Sequence, residues 1–284
     1  MSELERVLII KNKKKKKFFL SKNWRSIKEL FKKFFPSRKP EKFAFSGWGM
    51  KTKISPPWIN SLDDNNSNFN NIHDYLISLI KSRKFILTQF EIENADYEKI
   101  LNELKWRSYV IYNSIIQVVT FSNNKKINVV ECGVCDGLTA FYAMNALKFK
   151  NKDFKFFLYD SWSQFRLQKD KDIFDYSYLD VEVVKKNLAK YSEYTIFNEG
   201  NIPEVFDKVT NPENINWLHI DLNSEEATKH SLNFFYEKLN SNGIIIFDDY
   251  GGLEETRKTV DIFLKDKSGH FLSLPTGQGV FIKK

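Results

Sequence analysis

The sequence predicts an α/β protein: a Rossmann-like, doubly wound, seven-stranded, mostly parallel sheet with an antiparallel C-terminal hairpin strand. Three observations predict it. From Ile127 onward, strand-like apolar runs alternate with helical periods, the pattern of a parallel sheet covered on both faces. The first strand runs straight into a glycine turn and a helix start, Glu131-Cys132-Gly133-Val134-Cys135-Asp136-Gly137-Leu138-Thr139. The last two strands are joined only by Pro275-Thr276-Gly277-Gln278-Gly279, too short for a parallel crossover, so they form an antiparallel hairpin.

The predicted strands are Ile127–Cys132, Phe154–Asp160, Tyr194–Asn198, Asn216–Asp221, Gly243–Asp248, Phe271–Leu274 and Val280–Lys283. Between them, helices are predicted over about Thr139–Phe149, Val181–Tyr191, Glu225–Leu239 and Leu253–Lys265. Residues 125–284 therefore make the core domain. Ahead of it, 43–124 reads as an irregular segment followed by helices near Ile72–Arg83 and Asp96–Thr120, with Asn65 to Asn71 as a polar turn.

Residues 1–42 are a separate extension. Leu20, Trp24, Ile27, Phe31 and Phe34 fall on one helical face opposite Lys22, Arg25, Lys28, Lys32 and Lys33. Residues 13–35 thus read as a basic amphipathic segment, suited either to anionic lipid or to docking on a partner or on the chain's own body. No apolar stretch is long enough for a signal-peptide core or a membrane span, so the expected location is cytoplasmic, with peripheral contact at the inner membrane surface as one option.

Charge is divided the same way. Residues 1–42 hold 15 Lys and Arg against 4 Asp and Glu, and the rest of the chain holds 29 against 32. The basicity belongs to the extension, and the body gives no reason to expect nucleic acid as a partner. Cys132 and Cys135 are the chain's two cysteines, which excludes a disulfide framework; no second Cys or His pair completes a zinc site. The oligomeric state is left open, a homo-oligomer included.

The glycine spacing bears on the cofactor. A dinucleotide fingerprint needs a glycine where this chain has Cys135, which disfavours a pyrophosphate. Glu131, two residues before Gly133, suits a cofactor with a cationic end, such as the amino group and sulfonium of S-adenosylmethionine (SAM). In such sheets ligands lie at the carboxyl ends of the strands. Those ends are polar throughout: Glu131, Asp160-Ser161, Glu199-Gly200-Asn201, Asp221 and Asp248-Asp249. Asp160 stands where a carboxylate accepts both ribose hydroxyls of a nucleoside. Asp221, Asp248 and Asp249 would converge and repel one another unless a cation joins them, for which Mg²⁺ is the better candidate and Ca²⁺ the lesser.

Together, Trp217-Leu218-His219-Ile220-Asp221, Glu226-Ala227-Thr228-Lys229 with Leu232, and Gly243-Ile244-Ile245-Ile246-Phe247-Asp248-Asp249-Tyr250-Gly251 with Arg257, Lys258 and Val260 resemble the class I SAM-dependent O-methyltransferases related to macrocin O-methyltransferase. The resemblance covers about residues 125–284. It implies SAM as methyl donor, Mg²⁺ at the positions matching Asp221, Asp248 and Asp249, and a sugar hydroxyl of a small molecule or glycan as acceptor. Gly47-Trp48-Gly49-Met50 resembles that family's N-terminal lid, which adds Met50 to the cofactor residues. Glu131, Gly133, Gly137, Thr139, Asp160, Ser161, Gly200, Asn201 and Asp221 complete the set. The family's D-x-D-x-Y pattern reads Asp221-Leu222-Asn223-Ser224-Glu225 here, a departure that bears on the acceptor.

Asp221 or Asp249 is the expected base for the acceptor hydroxyl, with His219 and His270 as rivals. Two other functions compete with methyl transfer: a nicotinamide-dependent oxidoreductase, and a non-catalytic adaptor working through the basic N-terminal helix.

Overall fold

The computed structural model describes residues 64–88, 91, 96–122, 124–162, 176 and 178–284. The extension 1–42, its amphipathic segment and Met50 lie outside the described residues. Three helices come first, α1 (Asp64–Lys81), α2 (Tyr97–Glu103) and α3 (Lys105–Phe121). The core then runs β1 (Lys126–Cys132), α4 (Leu138–Phe149), β2 (Asp153–Asp160), α5 (Val181–Asn187) with a 3₁₀ turn over Ala189–Tyr194, and β3 (Thr195–Glu199). It continues with β4 (Ile215–Ile220), α6 (Glu225–Phe235), β5 (Leu239–Phe247), α7 (Glu254–Leu264), β6 (Gly269–Ser273) and β7 (Gly279–Lys283). Among the described residues no helix is long and apolar enough to cross a membrane.

The sheet has seven strands in the order β3-β2-β1-β4-β5-β7-β6. Strands β1 to β5 pair in parallel, and β7 is antiparallel to both of its neighbours. The predicted fold class holds. The hairpin has a further feature: the chain's last strand takes the interior place, leaving β6 as the edge. Val280 and Phe281 of β7 are buried, while His270, Leu272 and Ser273 of β6 are exposed, so the more apolar strand lies inside.

Strand alternation sorts the core into two layers. Val129, Phe156, Trp217, Ile244 and Ile246 face the layer formed with α1, α3 and α4. Val130, Phe157, Leu218, Ile245 and Phe247 face α6 and α7, meeting Leu232, Phe235 and Val260. Each fully buried aromatic contributes about 1.5–3 kcal/mol relative to exposure. The Trp217 indole also donates to the Ser114 hydroxyl at 2.8 Å, pinning α3 over β4.

Two helical expectations need correction. The Asn65–Asn71 turn belongs to α1, because Phe69, Ile72 and Leu76 form a buried stripe whose packing outweighs the poor helix propensity of asparagine. The helix expected over Asp96–Thr120 divides at Leu104 into α2 and α3.

Candidate active site

The glycine turn is built by close approach. Gly133 has φ +83°, and a Cβ there would lie 1.7 Å from the Asp221 carbonyl oxygen. Only glycine lets the end of β1 run this close to the end of β4, where the Asp221 N–H donates to the Cys132 carbonyl at 2.9 Å. Gly137, at φ +84°, opens α4 without a side-chain cap, so Leu138 and Thr139 present uncapped N–H groups at the cavity wall.

Asp160 holds this turn in place. Its Oδ2 accepts from the N–H groups of Val134 (2.7 Å) and Cys135 (2.9 Å), and its Oδ1 from Trp162 N–H (2.9 Å). Burial raises its pKa, opposed by those N–H donors. The Gly200 N–H donates to the Asp160 carbonyl at 2.9 Å, placing the third strand's exit beside the second. Ser161 is half-buried and Asn201 exposed, and neither lines the cavity.

A strap that sequence reasoning missed closes the same side. The Asp136 carboxylate accepts from the Thr88 N–H (2.6 Å) and hydroxyl (2.9 Å). The Asn187 amide brackets Ile86, accepting its N–H and donating to its carbonyl at 2.8 Å each, and also donates to the Asp136 carbonyl at 2.8 Å. Leu87 is thereby set into the cavity wall. An Asp inside a glycine turn was the available signal; its partner lies 48 residues away in sequence.

The cavity measures about 290 Å³. It brings together Glu131, Gly133 and Thr139 with Asp221, Asp248 and Arg107. Glu131 is 1% exposed, and its Oε2 has no hydrogen-bond partner. Burial raises its pKa. An orphaned acceptor on a cavity wall fits a cationic ligand group such as an ammonium.

The far wall is acidic. Asp221, Asp248 and Asp249 each offer a carboxylate oxygen, and these oxygens lie within 4.8 Å of one another. Sheet register explains part of the grouping: Glu131 pairs with His219 and His219 with Ile246, so Glu131, His219 and Asp248 share the face beneath α3. His219 is fully buried, stacked on Trp217, with Nδ1 3.6 Å from Glu131 Oε1 and Nε2 3.6 Å from Asp248 Oδ1. Burial works to lower its pKa, but the two carboxylates outweigh it and raise it to about 10. His219 is enclosed between two carboxylates and His270 is exposed on β6, and neither lines the cavity where an acceptor would be deprotonated.

Arg107, another residue the sequence did not single out, reaches the acids from α3. Its Nη2 donates to Asp248 Oδ2 and to the Asp248 carbonyl (3.0 Å), and stands 3.5 Å from Asp249 Oδ1. Gln278 donates to Asp248 Oδ1 at 2.8 Å. Burial opposes Asp248 ionisation, but His219, Arg107 and Gln278 hold its pKa below the ordinary carboxylate range. Asp221 is pushed well up by burial and by its acidic neighbours, and Asp249 is raised by burial and Asp248. Asn223, where the resemblance leads to an acid, donates to the Tyr176 hydroxyl at 2.7 Å.

Residues 130–250, from β1 to just past β5, match a family model described as a methyltransferase domain. None of the curated proteins matches the chain's sequence. Among solved structures, the O-methyltransferase NovP matches at 21% identity over 63% of this chain and 79% of its own, with a TM-score of 0.53. CalS11, a TDP-rhamnose 3′-O-methyltransferase of calicheamicin biosynthesis, matches at 13% identity over 75% and 93%, TM-score 0.47. The Podospora anserina methyltransferase PaMTH1, solved with S-adenosylhomocysteine, matches at 11% over 76% and 87%, TM-score 0.44. At these identities the likeness is one of fold. The oxidoreductase and adaptor alternatives fall with the domain match: residues 130–250 are a methyltransferase domain, and the chain is a SAM-dependent methyltransferase.

Proposed function

We propose that the chain moves the methyl group of SAM to a sugar hydroxyl of a glycan, glycolipid or glycosylated metabolite, with Mg²⁺ at Asp221, Asp248 and Asp249. The carrying observation is the convergence of those three carboxylates, two of which, Asp221 and Asp248, line a cavity whose other wall is the glycine turn and Glu131. Three hard oxygen donors in reach of one another suit a divalent ion. NovP, which shares the fold, is an O-methyltransferase, in keeping with this reading.

The cofactor residues in this reading are Glu131, Gly133, Gly137, Thr139, Asp160, Ser161, Gly200, Asn201 and Asp221, with Met50 from the lid. Glu131 takes the cofactor's cationic end and the uncapped start of α4 its carboxylate. A bound Mg²⁺ would lower the pKa of the acceptor hydroxyl and fix its direction. In the transfer, a C–O bond forms as the C–S bond breaks, and S-adenosylhomocysteine leaves with the electron pair on sulfur. The hydroxyl proton goes to Asp221 or Asp249, the carboxylates beside the acceptor position. Asp248, held anionic, is the fixed member. Asn223, two residues beyond Asp221 and bonded to the Tyr176 hydroxyl, would bear on which acceptor is taken.

The test is turnover of the full-length chain with SAM and a panel of nucleotide sugars and glycosides, read as S-adenosylhomocysteine formed. Activity with at least one sugar, lost with a chelator and restored by Mg²⁺, is expected. Turnover indifferent to chelation and to Asp249→Asn would refute the metal assignment; methylation confined to non-sugar acceptors would refute the acceptor class. A membrane-borne acceptor would bring residues 13–35 to an anionic surface, in which case deleting residues 1–42 abolishes liposome binding; unchanged binding rejects that contact.

A further inference from the structure

The guanidinium of Arg107 and a divalent cation want the same oxygens. Asp248 Oδ1 is taken by the Gln278 amide at 2.8 Å and faces His219 at 3.6 Å. The oxygen of Asp248 free to turn toward an ion is therefore Oδ2, which lies under Arg107 Nη2. Asp249 Oδ1 stands 3.5 Å from the same nitrogen. Two backbone carbonyls, Asp248 at 3.0 Å and Thr276 at 3.4 Å, fix the fork in this place. Its planar donors match that set in a way an ammonium does not.

We propose that Arg107 is the resident counter-ion of Asp248 and Asp249, and that a divalent cation binds by displacing it, so that this one side chain sets the metal affinity of the site. The inference rests on the metal reading above. It explains how three neighbouring carboxylates are held together: one positive charge from α3 is shared between Asp248 and Asp249 and offsets part of their repulsion. It also gives metal binding a mechanical consequence, because a displaced Arg107 releases the Thr276 carbonyl, one of the bonds that hold the turn between β6 and β7.

Mn²⁺ titration of the full-length wild type, Arg107→Gln and Arg107→Lys, read by the electron paramagnetic resonance of free Mn²⁺, tests this without any turnover assay. Arg107→Gln is expected to bind roughly tenfold or more tightly than wild type, a difference of about 1.4 kcal/mol, with Arg107→Lys between them. Equal or weaker binding by a folded Arg107→Gln chain overturns the inference and leaves the metal reading standing. No binding by any of the three removes the metal reading and the inference together. If Arg107→Gln does not fold, hydrogen exchange on the wild type decides: the Gly277 amide, bonded to the Leu274 carbonyl within the turn, should lose protection when Mn²⁺ binds. Unchanged or greater protection overturns displacement.

Discussion

At the ends of β1 and β2, the carboxylates of Asp136 and Asp160 are occupied by N–H and hydroxyl donors of the chain itself. At the ends of β4 and β5, Asp221, Asp248 and Asp249 face one another, and Arg107 neutralises only part of their charge. The same residue type at equivalent places in the sheet thus does opposite work. On the first wall, hydrogen bonds fix a backbone shape before any ligand arrives. On the second, like charges are held together at a cost that a cation would relieve.

The sharpest way to break the comparison is at Gly133, where the walls meet. Gly133→Ala should cost more than about 4 kcal/mol, because its Cβ collides with backbone and its φ is left-handed; chemical denaturation with near-wild-type stability would show that the walls can part freely. Next comes the first wall alone. Asp160→Ala strands three backbone N–H groups and should cost about 3–5 kcal/mol, with SAM binding by calorimetry weakened in parallel.

The fold was legible because its apolar alternation is local, and every predicted strand appears within a few residues of its place. The acids of the site were legible because strand ends can be read one at a time. Arg107, Gln278 and the Asp136–Asn187 strap were not, since their partners lie 30 to 169 residues away and nothing in their local pattern marks them. Asp160 shows the intermediate case: its position was visible, but its bonds to the turn became evident only once Val134 and Cys135 were placed around it.

The second wall should answer in the other direction. Asp221 has a folded pKa raised by burial and by Asp248 and Asp249. In the ion-free chain, the stability it contributes is present below the ordinary carboxylate pKa and lost as pH rises through the folded value. Asp221→Asn removes that loss. Its melting temperature should match wild type near pH 4 and exceed it at pH 8, while methyl transfer falls by about 10²–10⁴. A variant less stable than wild type at pH 8 would mean that Asp221 is as well satisfied as Asp160. The smallest effect belongs to Thr88→Ala, which removes one hydroxyl bond to Asp136 and should cost about 1 kcal/mol, read by denaturant midpoint.

The turn at Leu274–Gln278 enters the site from the antiparallel end of the sheet, outside the parallel core. Gln278 reaches Asp248 from it, the Thr276 carbonyl reaches Arg107, and Gly251 donates to the Gly277 carbonyl at 2.7 Å. Leu274 packs against the layer beneath α3, so it is Pro275 to Gln278 that can vary, and each change there would be felt at the acids. That makes the hairpin a natural place for evolution, or for a designed library, to retune one scaffold toward new acceptors.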